Sequence, residues 1–262
     1  MRKRLLLIGS KIIPKQFKPF LRPIKNKIFS QPKPVILFEG WGLTTWTQLP
    51  WIDDNYFKDT NSLLKHRFDF GKKEYSISDS NVDEMMYRNY YITYCVRNVL
   101  KNTENRNFVE CGVANGLSAF FALREIKSTR YEFHLYDSWA VMKTDYLNPN
   151  EHIFAGNYDT LDINLTKNNL KDFENVKFHC GYLPETLNES APKLISYLHI
   201  DVNSAKTTKE ILDFFYPRLV SGGVILFDDY GWLAHDETRK LVDSLFDNIL
   251  KLPTGQAIFY KL

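Results

Sequence analysis

Two aspartates, Asp228 and Asp229, stand side by side directly behind the apolar run Val224-Ile225-Leu226-Phe227. Adjacent carboxylates repel each other unless a positive charge lies between them. Magnesium, calcium or manganese suits such a pair, because these hard cations take oxygen ligands. The alternative is that one aspartate caps the following helix and the other is solvated. Two more acids follow short apolar runs: Glu110 after Phe108-Val109, and Asp137, 27 residues later, after Leu135-Tyr136. His235, a few residues beyond the aspartate pair, is a candidate base, since an unperturbed histidine titrates near neutrality. A surface position at a helix start is the competing reading for His235. His199 lies within an apolar run and reads as a core histidine.

Glu110 leads into Gly112-Val113-Ala114-Asn115-Gly116. The glycines are spaced GxxxG, one residue short of the dinucleotide fingerprint. Gly112 lets the backbone turn and approach a ligand, and Gly116 lets a helix begin close to the strand. An acid at this strand tip would repel a pyrophosphate but attract a cation or accept hydrogen bonds from an amine. S-adenosylmethionine carries an ammonium and a sulfonium and no phosphate. Asp137 could accept hydrogen bonds from both ribose hydroxyls of a bound nucleoside, or serve a helix cap or turn. Gly181-Tyr182, after the third expected strand, offers a backbone amide and a ring to an adenine; Tyr182 could equally be core.

These residues need a sheet to bring them together. Strands are expected at Asn107–Cys111, Glu132–Tyr136, Val176–Cys180, Tyr197–Asp201 and Gly223–Phe227, with Gly222-Gly223 as the turn before the last. Helices are expected at 82–100, with Ser78, Asp79 and Ser80 offering caps, and then at 116–126, 157–170, 205–215 and 236–246. Ile249–Leu252 and Ala257–Tyr260, joined by Pro253-Thr254-Gly255-Gln256, read as a closing hairpin. The alternation implies an α/β fold of Rossmann-like type: a mostly parallel sheet, helices on both faces, and a C-terminal antiparallel hairpin. Ligands of such sheets bind at the carboxyl ends of the strands.

The chain of 262 residues suffices for one large α/β domain with an N-terminal extension. Residues 1–30 carry nine Lys or Arg and no acid; against +3 for the whole chain, the remainder is net −6. This basic stretch is interleaved with apolar residues and interrupted by Pro14, Pro19 and Pro23. It reads as a tail, with contact to an anionic membrane surface as the alternative. Its apolar run is too short to span a bilayer or form a signal-peptide core, and no nucleic-acid module accompanies it. Residues 31–75 read as an irregular, aromatic-rich extension or lid, with Trp41, Trp46 and Trp51 close together. The sheet domain is expected at 76–262. Cys95, Cys111 and Cys180 fit no disulfide framework, which points to a reducing, cytoplasmic setting, and all three read as buried. A homo-oligomer is compatible with the chain.

Four stretches together resemble class I S-adenosylmethionine-dependent methyltransferases, and among them the macrocin and mycinamicin sugar O-methyltransferase family: Glu110-Cys111-Gly112-Val113, Asp137-Ser138, His199-Ile200-Asp201-Val202, and Gly222 to Gly231. The tail Leu252-Pro253-Thr254-Gly255-Gln256-Ala257 adds a fifth. The resemblance covers residues 107–262. It implies a seven-stranded sheet with the last strand antiparallel, and S-adenosylmethionine bound with the help of Glu110, Gly112 and Asp137; Gly116, Ser138, Gly181 and Tyr182 are the further cofactor-binding candidates. It also implies a divalent metal, usually magnesium, on Asp201, Asp228 and Asp229, with Asp201 a second candidate base. The acceptor it implies is a sugar hydroxyl on a glycan, glycolipid or secondary metabolite. Asn203 and Ala205 replace an acid and an aromatic of the family pattern, and Trp139 stands where a Phe is common. A nicotinamide or nucleotide-sugar oxidoreductase, a metal-independent transferase and a non-catalytic binding protein of the same fold remain the alternatives.

Overall fold

The computed structural model describes residues 49–71, 79–103 and 107–262. The basic stretch 1–30, Trp41, Trp46 and Ser78 lie outside the described residues. Residues 50–262 form one compact unit.

Seven strands form one sheet in the order β3-β2-β1-β4-β5-β7-β6: β1 Asn107–Cys111, β2 Phe133–Asp137, β3 Val176–Cys180, β4 Ile195–Ile200, β5 Leu219–Phe227, β6 Leu250–Lys251 and β7 Ala257–Tyr260. The first five run parallel; β7 is antiparallel to β5 and to β6. The expected α/β architecture with a terminal hairpin is therefore present. Alternate strand residues feed two cores. Phe108, Phe133, Leu135, Tyr197, Val224 and Leu226 pack on one face against α2 (Met86–Asn102) and α3 (Leu117–Ile126). Val109, Cys111, Tyr136, Leu198, Ile225 and Phe227 pack on the other against α5 (Ala205–Phe215) and α6 (Asp236–Leu245). A strand covered on both faces is buried along its whole length, as all six residues of β4 are, Ser196 and His199 included.

Register decides where the chemistry collects. Cys111 lies opposite both Tyr136 and Ile200, and Ile200 lies opposite Phe227. The next residue on each strand path is therefore Gly112, Asp137, Asp201 or Asp228, and all four reach the same sheet edge. The strand order reverses direction between β1 and β4, so this edge is the crevice where open α/β sheets bind ligands.

Several local expectations are corrected. Gly222-Gly223 lies inside β5, which begins at Leu219, because Leu219 already pairs with Ile195; Gly222 absorbs the irregularity with φ +76°. Within 31–75, residues Asn55–Arg67 form helix α1. Asp54 caps it by accepting from the Phe57 amide at 2.9 Å, and Phe57 and Leu64 are buried. Trp51 is also buried, in edge contact with Tyr87. Residues 79–85 are a 3-10 segment, so α2 starts at Met86, without a side-chain cap. The helix expected at 157–170 is only α4, Ile163–Asn169, because Asp162 caps it and the preceding residues turn. Cys95 and Cys111 are buried, but Cys180, on an edge strand, is exposed.

Candidate active site

The loop after β1 is shaped by a close backbone approach. A Cβ on Gly112 would lie 1.8 Å from the Asp201 carbonyl oxygen, and Gly112 has φ +84°, so only glycine fits. Gly116, at φ +88°, is the N-cap of α3. Asp137 organises this loop directly. Its Oδ2 accepts from the amides of Val113 at 2.7 Å and Ala114 at 2.8 Å, and its Oδ1 accepts from the Trp139 amide at 2.7 Å. Trp139 is buried; its indole N–H donates to the Ala114 carbonyl at 3.0 Å and the Thr166 hydroxyl at 2.9 Å. The residue that departs from the family pattern thus braces the glycine loop.

A pocket runs along this edge. Its lining includes Gly112, Ala114, Asp137, Ser138, Tyr158, Tyr182, Asp201 and Asn203. Tyr182 stacks on Tyr146 with ring centres 4.6 Å apart, and its hydroxyl donates to the Val141 carbonyl at 2.7 Å. Gly181 joins β2 through its amide, which donates to the Asp137 carbonyl at 2.9 Å. The connection between β2 and α4 is fixed over the strand tips. Buried Glu151 accepts from the Ala205 amide at 2.8 Å, and Ser204 donates to the Tyr146 carbonyl at 2.7 Å.

Glu110 departs from its expected place. It is fully buried and does not line the pocket; Ser118 donates to one oxygen, and the other faces His199. His199 is buried between two acids. Its Nδ1 is 3.7 Å from Glu110 and its Nε2 is 3.6 Å from Asp228. These distances exceed ordinary hydrogen bonds, so the contact is chiefly coulombic. Burial alone would lower the imidazole pKa, but Asp228 and Glu110 outweigh it and raise it to about 10. The core reading of His199 holds for position, while its neighbours make it a buried cation.

Asp201, Asp228 and Asp229 converge, each offering one oxygen within 4.8 Å of the others. Their environments differ. Asp228 would be raised by burial, but Arg88 and then His199 hold its carboxyl well below the usual range. Arg88 donates from Nη2 to Asp228 Oδ2 and from Nη1 to the Thr254 carbonyl at 2.8 Å; Gln256 donates to Asp228 Oδ1 at 2.8 Å. Asp201 is pushed upward by burial and then by the charges of Asp228 and Asp229. Asp229 is also raised, by burial and then by Asp228, against the pull of His235. One oxygen of Asp229 is buried without a hydrogen-bond partner. A buried carboxylate oxygen with no donor, facing two other acids, fits a cation.

His235 is buried rather than on the surface. Its ring stacks on Phe154 at 4.7 Å, and its Nδ1 is buried without a hydrogen-bond partner. Tyr158 and Asn203 were not singled out as a pair by sequence. Both have left-handed backbones, at φ +62° and +54°, and the Asn203 amide donates to the Tyr158 hydroxyl at 3.2 Å. Burial and the nearby Asp201 and Asp229 charges raise the phenol's pKa, so it keeps its proton. Non-glycine residues with positive φ are uncommon and cluster at functional sites. Arg88 also had no sequence signal, since it meets Asp228 across 140 residues.

Comparison with known proteins agrees with this geometry. The model of a family described as a methyltransferase domain matches residues 109–230. A curated Streptomyces olivaceus protein, 8-demethyl-8-(2,3-dimethoxy-alpha-L-rhamnosyl)-tetracenomycin-C 4'-O-methyltransferase, is 27% identical over 165 residues, covering 58% of this chain and 62% of that protein. The chain therefore matches less than two thirds of that relative's length. Among solved structures, the O-methyltransferase NovP superposes with a TM-score of 0.66 at 17% identity, covering 79% of this chain and 98% of NovP. The calicheamicin methyltransferase CalS11 gives 0.57 at 14% identity, covering 85% and 98%. The methyltransferase resemblance drawn from the sequence is borne out, and the fold is that of these enzymes.

Proposed function

We propose that this protein is an S-adenosylmethionine-dependent O-methyltransferase acting on a sugar hydroxyl of a glycan, glycolipid or secondary metabolite. The observation that carries the reading is one continuous pocket. Its lining includes Gly112, Asp137 and Asp201, and Asp201 in turn converges with Asp228 and Asp229. The matched methyltransferase domain and the sugar O-methyltransferase named above support the same class.

At the glycine loop, Gly112 admits the Asp201 backbone, and Asp137 and Ser138 line the pocket and offer polar groups to a nucleoside. Asp137 already accepts three backbone N–H bonds, so at most about one lone-pair site remains for a ribose hydroxyl. Gly181 and Tyr182 are the candidates to flank the adenine. S-adenosylmethionine would supply the methyl group: an O–CH₃ bond forms as the S–CH₃ bond breaks, leaving S-adenosylhomocysteine and a proton. A divalent metal, magnesium by resemblance, would be held by Asp201, Asp229 and Asp228 and would polarise and orient the acceptor hydroxyl. Asp201 and His235 are the candidates to take the proton. His235 lies close enough to Asp229 to act on it electrostatically, and its Nδ1 has no competing partner. Tyr158, protonated and bonded to Asn203, is a donor to the acceptor. The alignment of these groups is the main catalytic contribution.

The test is transfer of a labelled methyl group from S-adenosylmethionine to a panel of rhamnosides and nucleotide-linked deoxysugars, with magnesium and with chelator. Metal-stimulated labelling of a sugar is expected. Labelling that chelator leaves intact would remove the metal, and binding of a nicotinamide cofactor instead of S-adenosylhomocysteine would overturn the assignment.

A further inference from the structure

Of the three clustered acids, Asp228 is the one already neutralised by the protein. Arg88 engages Oδ2 and Gln256 engages Oδ1, so each oxygen has a donor before any ion arrives. The guanidinium is itself fixed. It bonds the Thr254 carbonyl, lies 5.6 Å from the Trp232 ring, and keeps only 15% of its side chain exposed. Asp201 and Asp229 are different: no arginine or lysine salt bridge reaches either among the described residues, and one Asp229 oxygen has no hydrogen-bond partner. A cation drawn to the trio must approach a fixed positive charge that already holds one of its three ligands.

We propose that Arg88 is a resident competitor of the metal: it holds Asp228 when no metal is bound and sets how tightly the acidic trio takes a divalent cation. This inference rests on the metal part of the proposed function. Two costs oppose metal binding while Arg88 is present: like-charge repulsion at short range, and loss of a buried, charge-assisted hydrogen bond. Removing the charge removes both. It also leaves buried Asp228 with His199 as its remaining counter-charge, a weaker pairing that destabilises proteins and that a bound cation relieves. The arginine comes from α2, outside the strand tips that supply the acids, so metal affinity depends on how α2 is seated.

The experiment uses MnCl₂ as the probe, without cofactor, on wild type, Arg88→Gln and Arg88→Lys. Calorimetric titration is combined with thermal melting in manganese and in chelator. Arg88→Gln keeps a hydrogen-bonding side chain but drops the charge; it should bind manganese at least about tenfold tighter than wild type. It should melt below wild type in chelator and gain more from manganese than wild type does. Arg88→Lys keeps the charge and should stay near wild type. Unchanged, weaker or undetectable manganese binding by Arg88→Gln would overturn the proposal. So would a lowered melting temperature that manganese does not restore, because Arg88 would then be structural only. If Arg88→Gln is unfolded in chelator, recovery on adding manganese supports the proposal and failure to recover rejects it. S-adenosylhomocysteine titrated into the same wild-type sample separates the two readings: its failure to bind would reject the methyltransferase assignment and leave the manganese result standing.

Discussion

Asp137 and Asp229 are both acids at the carboxyl edge of the same sheet, and the protein treats them in opposite ways. Asp137 receives three backbone N–H bonds that fold the glycine loop around it. Asp229 keeps a buried oxygen with no donor and sits beside two more acids. An acid surrounded by donors builds structure; an acid left without them, among like charges, is stored for something that arrives later. The glycine loop is therefore finished by folding, and the acidic cluster is not.

The largest effect expected from breaking this contrast is at Gly112. Gly112→Ala would force a Cβ against the Asp201 backbone, where neither side can move as a flexible side chain would. It should cost more than about 4 kcal/mol in urea unfolding and abolish S-adenosylhomocysteine binding. A variant within about 1 kcal/mol of wild type would refute the close approach. Next comes the paired comparison. Asp137→Asn places an amide where three N–H groups need acceptors and should cost about 2–3 kcal/mol. Asp229→Asn relieves like-charge repulsion, so metal-free stability should stay level or rise by up to about 1 kcal/mol. Equal losses from the two substitutions would erase the distinction. The narrowest effect is confined to alkaline solution. His199 is raised from 6.5 to about 10, so its contribution is complete below pH 6.5 and is lost as pH climbs through about 10. Wild-type stability should decline across that window, and His199→Gln should lack that decline; identical pH profiles would argue that His199 is neutral.

Much of this was legible in the chain. The endpoints of β1 and β3 match those expected from the sequence, and the alternation of strands and helices fixes the sheet. The acids at the strand tips were visible because each follows an apolar run, and register then gathers them. Helix α1 was missed because its buried face includes Thr60 and Asn61, which hide the apolar period. The length of α4 was overestimated because Tyr158, an aromatic with φ +62°, gives no warning of a turn. Asp137 read as a ribose acceptor or a turn residue; which loop it would build was hidden, because its donors are backbone amides. Arg88 was invisible for a different reason: a charge on one helix gives no sign of which distant acid it will meet.

The most direct test is calorimetric titration of S-adenosylhomocysteine and, separately, manganese into wild type, Asp137→Asn and Asp229→Asn. The account predicts that wild type binds both, that Asp137→Asn loses the nucleoside ligand, and that Asp229→Asn loses manganese while still binding S-adenosylhomocysteine. Failure of wild type to bind S-adenosylhomocysteine, with or without metal, would contradict the account.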